Sequence, residues 1–336
     1  SNISLQLYSW YIKNGHARND NDKAAIEILF NPALMDAAKD CDGFYEKLYK
    51  FQCYCWYAFI LQDFLLYYRY CQKWVDLFET EPKMIEIETA HYIKGMHNLM
   101  SAHFDLRNYT KFNETICRFE AFTQTPTVLD NQNNTIQTFV YLHLSKINRH
   151  FMEGTFEAGI AEIPLIEEKL IEYELFLDRH RVLVFYYKFA SLYFGAGNYS
   201  ASIDYLNKVI NLKGDLRTDL QCYARLLHLI AHYELGNFEI LEHLLKSVTR
   251  FMAKMENLGL AEAEIFGFLK RAFRLQPSAL KPAFEKLLEN LKAVEQDKLA
   301  SRAFMYLDVI SWLESKIEGK EVQDIIRDKY LRSIKE

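Results

Sequence analysis

The chain has 336 residues, half of them apolar and a quarter charged, with a net charge of −5. That balance, with only 12 Gly and 6 Pro, excludes a disordered chain and favours long helices. The negative charge argues against a nucleic-acid binder that works by neutralising phosphates, and 336 residues exceed the about 250–300 at which a single compact core stops growing.

Read in order, Ile3 to Lys13 is an amphipathic helix ended by Asn14-Gly15. Asp22 is expected to cap a helix through Phe30, and Pro32 to open another running to Lys39; residues 1–41 together form an N-terminal helical cap. From Asp42 the chain reads as helical hairpins to its end. Asp42 to Leu61 and Asp63 to Phe78 form the first, Pro82 to Leu106 and Tyr109 to Phe122 the second. Asn131 to Asn134 is the most polar loop and the expected place for local mobility. Thr135 to Met152 and Phe156 to Leu177 follow as the third pair, with a kink predicted at Pro164. In the fourth, Leu183, Tyr186, Phe189, Ala190 and Tyr193 make one helical stripe, Gly197-Asn198 stops it, and Ile203, Leu206, Val209 and Ile210 make a second. Asp215 to Leu235 with Phe238 to Asn257, Leu260 to Leu275 with Pro277 to Leu291, and Asp297 to Ile317 with Lys320 to Ile334 complete the series. No low-complexity linker divides residues 42–336.

The stretch Asp178 to Leu212 carries the clearest pattern. Tyr186, Phe189, Ala190, Tyr193, Gly197, Tyr199, Ser202 and Leu206 stand in the order that a tetratricopeptide repeat requires, with Tyr for Trp, Phe for Leu and Ser for Ala as departures. The chain resembles that helical repeat family. Aromatics equivalent to Tyr199 recur roughly 40 residues apart at Phe64, Tyr109, Phe156 and Phe238. Six residues before them stand Ala58, His103, His150, Tyr193 and His232, and five before stand Phe59, Phe104, Phe151, Phe194 and Tyr233. The resemblance implies an all-α fold: a right-handed α-solenoid of about seven antiparallel helix pairs, TPR-like, behind the N-terminal cap.

In that family the concave groove is lined from the first helix of each pair. Carried over by register, the groove positions include Trp56 and Phe59; Lys94, His97 and Phe104; Tyr141, Asn148 and Phe151; Tyr187 and Phe194; and Tyr223 and Tyr233. Aromatic rings interleaved with hydrogen-bonding groups suit an extended peptide or a partner helix, since they supply contact area at low side-chain entropy cost. The alternative is that the aromatic column packs between adjacent first helices. Lys94 and Asn148 alone do not make the carboxylate clamp by which some family members hold a peptide C-terminus.

Chemistry is sparse. No phosphate-binding, dinucleotide, zincin or nucleophile-elbow motif is present, and Glu167-Glu168 with Glu172-Glu174 reads as a solvated face. The best metal candidate is His228 with His232, one helical turn apart but lacking a third ligand, so no metal or other cofactor is expected. Cys41, Cys53, Cys55, Cys71, Cys117 and Cys222 show no C-x-x-C spacing and read as reduced thiols, consistent with a cytoplasmic protein. The most apolar run, Cys53 to Leu61, is too short to span a membrane. Ser1-Asn2 resemble the scar of a cleaved tag, which leaves room for a missing upstream domain or signal sequence. The expected function is a non-enzymatic scaffold that binds a protein or peptide in an aromatic groove, without nucleic acid or membrane. The alternative is a ligand- or peptide-responsive regulatory module of a larger bacterial signalling protein.

Overall fold

The computed structural model describes residues 2–37, 42–211, 217–255, 259–272, 274–295 and 308–334. Among them are nineteen helices and no strand. In order these are α1 (Asn2–Asn14), α2 (Asp20–Phe30), α3 (Pro32–Ala37), α4 (Phe44–Ile60), α5 (Phe64–Thr80), α6 (Lys83–Ile87), α7 (Thr89–Asp105), α8 (Tyr109–Thr123), α9 (Pro126–Leu129), α10 (Gln132–Glu153), α11 (Phe156–Glu172), α12 (Arg179–Gly195), α13 (Tyr199–Ile210), α14 (Thr218–Glu234), α15 (Phe238–Lys254), α16 (Leu260–Ala272), α17 (Pro277–Glu295), α18 (Val309–Glu318) and α19 (Val322–Ser333). The expectations at Lys39, Cys41, Leu212 to Asp215 and Asn257, and for the start of the helix from Asp297, lie outside the described residues. No helix among the described residues is long and apolar enough to cross a membrane.

One turn recurs. Phe64, Tyr109, Phe156, Tyr199 and Phe238 are each the first residue of a helix, α5, α8, α11, α13 and α15. Two residues before each, the backbone is left-handed, at Gln62, Arg107, Gly154, Gly197 and Gly236. The N–H of the residue between reaches back to close the preceding helix: Asp63 to the Ala58 carbonyl, Asn108 to His103 and Asn198 to Tyr193 at 2.9 Å, and Asn237 to His232 at 3.0 Å. That residue also opens the next helix. The side chains of Asp63, Asn108 and Asn198 accept from the N–H groups of Leu66, Lys111 and Ala201. Ala58, His103, Tyr193 and His232, six residues before their aromatics, are thus the acceptors for these turns, each a link of three residues between two helices.

Contacts divide the molecule into two units. The first comprises Ser1–Ile12, Asn19–Met152 and Ile171–Phe176; the second comprises Lys13–Arg18, Glu153–Leu170 and Leu177–Glu336. In the first, α4 packs on α5, α5 on α7 and α7 on α8. Close approach there depends on Gly95, where an added Cβ would fall 2.9 Å from Cδ1 of the fully buried Trp74. In the second, each helix from α12 to α19 packs on its successor, and α12 also meets α14, as α14 meets α16. Tyr233, Phe268, Phe284 and Trp312 gather there around a common point, with ring centroids 4.9–6.4 Å apart.

Several local expectations are corrected. The run from Asn131 to Asn134 opens α10, with Asn131 just before it and Gln132 to Asn134 in its first turn: the Asn131 side chain accepts from the Asn134 N–H, and the Asn134 amide donates to the Thr127 carbonyl. A polar run reads as a loop only until its side chains are spent on capping. Asn19 caps α2, accepting from the N–H of Asp22, so Asp22 is inside the helix rather than its cap. The helix expected from Pro82 to Leu106 is broken at Glu88 into α6 and α7, and α9 was not anticipated. The helix expected to run to Leu177 ends at Glu172, with Pro164 in its interior.

Candidate functional site

In the first unit, Trp56 and Phe59 are half-buried one turn apart on α4. Against them lies α1. The Tyr8 ring is 5.2 Å from Trp56, and the Tyr11 ring is 5.5 Å from Trp56 and 5.3 Å from Phe59. Lys94 of α7 completes the group, its Nζ 5.7 Å from the centre of the Tyr8 ring and 5.5 Å from that of Trp56, within cation–π range of both. α1 presents Ser4, Leu7 and Tyr11 as its buried stripe, at the three- and four-residue spacing of a helix seated on one side. Beneath its first turn sits Cys53 of α4, 3% exposed; burial raises its thiol pKa, and the Ser4 backbone N–H acts against that rise.

His97 and Tyr141 join α7 to α10 as a flat stack, with centroids 4.0 Å apart and planes 7° apart. Asn148 and Phe151 are half-buried further along α10. Phe104 belongs elsewhere. It faces Phe112 of α8, at 6.3 Å, and the guanidinium of Arg107, at 5.7 Å.

In the second unit the candidate residues are deeper. Tyr187, Phe194, Tyr223 and Tyr233 are all buried. Phe194 packs on Tyr199 at the start of the next helix, with centroids 5.3 Å apart. Tyr233 belongs to the aromatic cluster with Phe268, Phe284 and Trp312. Tyr223 donates its hydroxyl to Oε1 of Glu262 at 2.9 Å, and Oε2 of the same carboxylate accepts from the Gly259 N–H at 3.1 Å. Burial pushes the Tyr187 phenol far up and the Tyr233 phenol to about 12, so both are neutral hydroxyls at physiological pH.

The segment Gly15 to Arg18 packs into this unit. Gly15 has φ +79° and passes so close to Asp219 that a Cβ there would fall 2.2 Å from Oδ2. His16 and Ala17 are buried, and Arg18 donates from Nη1 to the Met255 carbonyl at 3.2 Å. Asp219 in turn is gripped by Arg217.

His228 and His232 stand with Nε2 atoms 3.3 Å apart, and the amide Nδ2 of Asn237 lies 3.1 Å from Nδ1 of His232. Burial holds His228 down to about 4, with His232 and Arg225 adding to it, so the ring is neutral near pH 7. Among the described residues no group of three or more His, Cys, Asp or Glu side chains is placed to hold a metal ion. The Cys55 and Cys71 Sγ atoms are 3.6 Å apart in the core, and burial raises the Cys71 thiol well above its usual range, which suits packing rather than nucleophilic chemistry. Two cavities are more open: one of 530 Å³ lined by Glu86, Glu88, Thr89, Asp130 and Asn134, and one of 270 Å³ lined by Tyr199, Ser315, Lys316, Lys320 and Glu321.

Sequence reasoning missed Tyr8, Tyr11 and the Arg217–Asp219 pair. The first two were visible as an aromatic pair one turn apart on an amphipathic helix; the pair was not, because its ion partners are two residues apart across an unusual backbone conformation. No protein-family model matches this chain, and no curated protein matches it.

Proposed function

We propose that the chain is a TPR-like solenoid scaffold that binds a protein or peptide partner through the aromatic face of its first helices, without catalysing a reaction. The observation that carries this reading is α1 itself: an amphipathic helix seated with Tyr8 and Tyr11 on Trp56 and Phe59, with Lys94 over the rings. Helix-in-groove recognition works by such anchors, because two rings with few rotamers supply most of the contact area. The solenoid reading is supported by the recurring turn and, in the second unit, by the packing of each helix from α12 to α19 on its successor, with first helices meeting first helices at α12, α14 and α16. The face would take a partner in its first-unit part, where Trp56, Phe59, His97, Asn148 and Phe151 keep partial exposure.

The test is selection of binders from a displayed library of helical peptides on the full chain. Convergent sequences should emerge, and His97→Ala with Asn148→Ala should weaken them by about tenfold, on the order of 1.4 kcal/mol, with far-UV helicity unchanged. Binders indifferent to both substitutions, or none at all, would remove the reading.

A further inference from the structure

Three observations bear on how α1 is seated. Tyr8 remains 38% exposed in the contact, and Trp56 and Phe59 stay half-buried, unlike Tyr223, which is 1% exposed. On α4, Leu48, Cys55, Ala58 and Ile60 are buried, and α4 is closely packed on α5. Cys53 is the exception, since the first turn of α1 covers it.

We infer that α1 is a displaceable internal occupant of this face, and that the partner is an amphipathic helix bearing an aromatic pair one turn apart, as Tyr8 and Tyr11 are. This rests on the reading of the face as a binding surface. A tethered occupant is present at the high effective concentration set by its short connection, so it closes the face against weak or mismatched helices. A partner must match its two rings and accept Lys94 over one of them, and its apparent affinity is reduced by the fraction of chains in which α1 is seated. Lys94 favours a partner whose aromatic ring is flanked by neutral or acidic residues, because a cation there would meet like charge.

The experiment uses the full chain and follows native-state alkylation of individual cysteines by iodoacetamide, read by peptide mass spectrometry. Cys55 and Cys71, buried on the α4–α5 side, serve as internal controls. Tyr8→Ala with Tyr11→Ala should raise the alkylation rate of Cys53 at least tenfold and leave Cys55 and Cys71 unchanged. Adding a synthetic peptide of residues 2–14 should then return Cys53 toward its original rate. Lys94→Ala is the gentler second variant and should raise Cys53 alone by a smaller factor. An equal rise at all three cysteines, or none at Cys53, means that α1 is part of the core and overturns the inference. Selective exposure of Cys53 with no protection by the peptide means instead that the face does not take a helix, which defeats the binding reading and the assignment of the partner while leaving the release of α1 standing.

Discussion

Arg217 and Asp219 form a two-pronged ion pair sealed inside the protein, with Nε to Oδ1 at 2.9 Å and Nη2 to Oδ2 at 3.1 Å. Their side chains are 4% and 0% exposed. Removing one partner strands the other charge away from water, so Asp219→Ala is expected to cost about 3–5 kcal/mol. Urea unfolding followed by circular dichroism measures it; a loss below about 1 kcal/mol, the range of surface pairs, would show that water reaches the site.

Gly195 makes a second sharp prediction. A Cβ there would lie 2.6 Å from Cε1 of the buried Phe156, the first residue of α11. Alanine gains helix propensity but forces the ring to move, and overpacking of this kind costs about 1–3 kcal/mol. Gly195→Ala should therefore lower the melting temperature. In combination with Phe156→Leu the two effects should be less than additive, because the smaller side chain makes room for the new methyl group.

The turns before Phe64, Tyr109 and Tyr199 were legible because their chemistry is local. A left-handed residue, a capping Asp or Asn and an aromatic at the first helical position all lie within three residues, so Phe64, Tyr109 and Tyr199 could be aligned from sequence alone. The start of α10 was misread for the complementary reason: whether Asn131 to Asn134 form a loop or a cap depends on whether Asn131 finds the Asn134 N–H. Position along the chain marked α1 as part of a terminal cap, while its stripe of Ser4, Leu7 and Tyr11 already showed one face seeking a partner. Which surface that face meets is a long-range fact, and periodicity carries no such information.

Stability should fall as pH drops from about 6.5 to about 4. Burial depresses His103, His180 and His228 each to about 4 from an ordinary value of 6.5; Lys111 near His103, Arg217 near His180 and His232 near His228 act in the same direction. Above pH 6.5 neither folded nor unfolded chain protonates these rings. Between the two values the unfolded chain binds protons that the folded chain refuses, so acidification favours unfolding, and below about 4 the effect is complete. Thermal melts from pH 7.5 to 4 should show the decline. His228→Gln should make the decline shallower, while a parallel, equally steep curve for that variant would show that His228 takes no part in it.

The recurring turn predicts opposite effects from one substitution and its reverse. Arg107 holds φ +54° where Gly154, Gly197 and Gly236 stand in the equivalent turns, and Arg107 is exposed. A non-glycine residue in left-handed backbone costs about 1–2 kcal/mol, and glycine's extra chain entropy offsets roughly 0.5–1 kcal/mol of that. Arg107→Gly should therefore stabilise the protein by about 0.5–1 kcal/mol, less whatever the Arg107 contact with Phe104 contributes. Gly319, which ends α18 at φ +68° with no atom of another described residue, its chain neighbours aside, within 4 Å of where a Cβ would stand, isolates the backbone effect from packing. Gly319→Ala should cost about 1 kcal/mol in chemical denaturation with an unchanged m-value. Equal stability of Gly319→Ala and the parent would mean that the α18 turn can close in another conformation, and that the backbone of this turn does not fix the entry into α19.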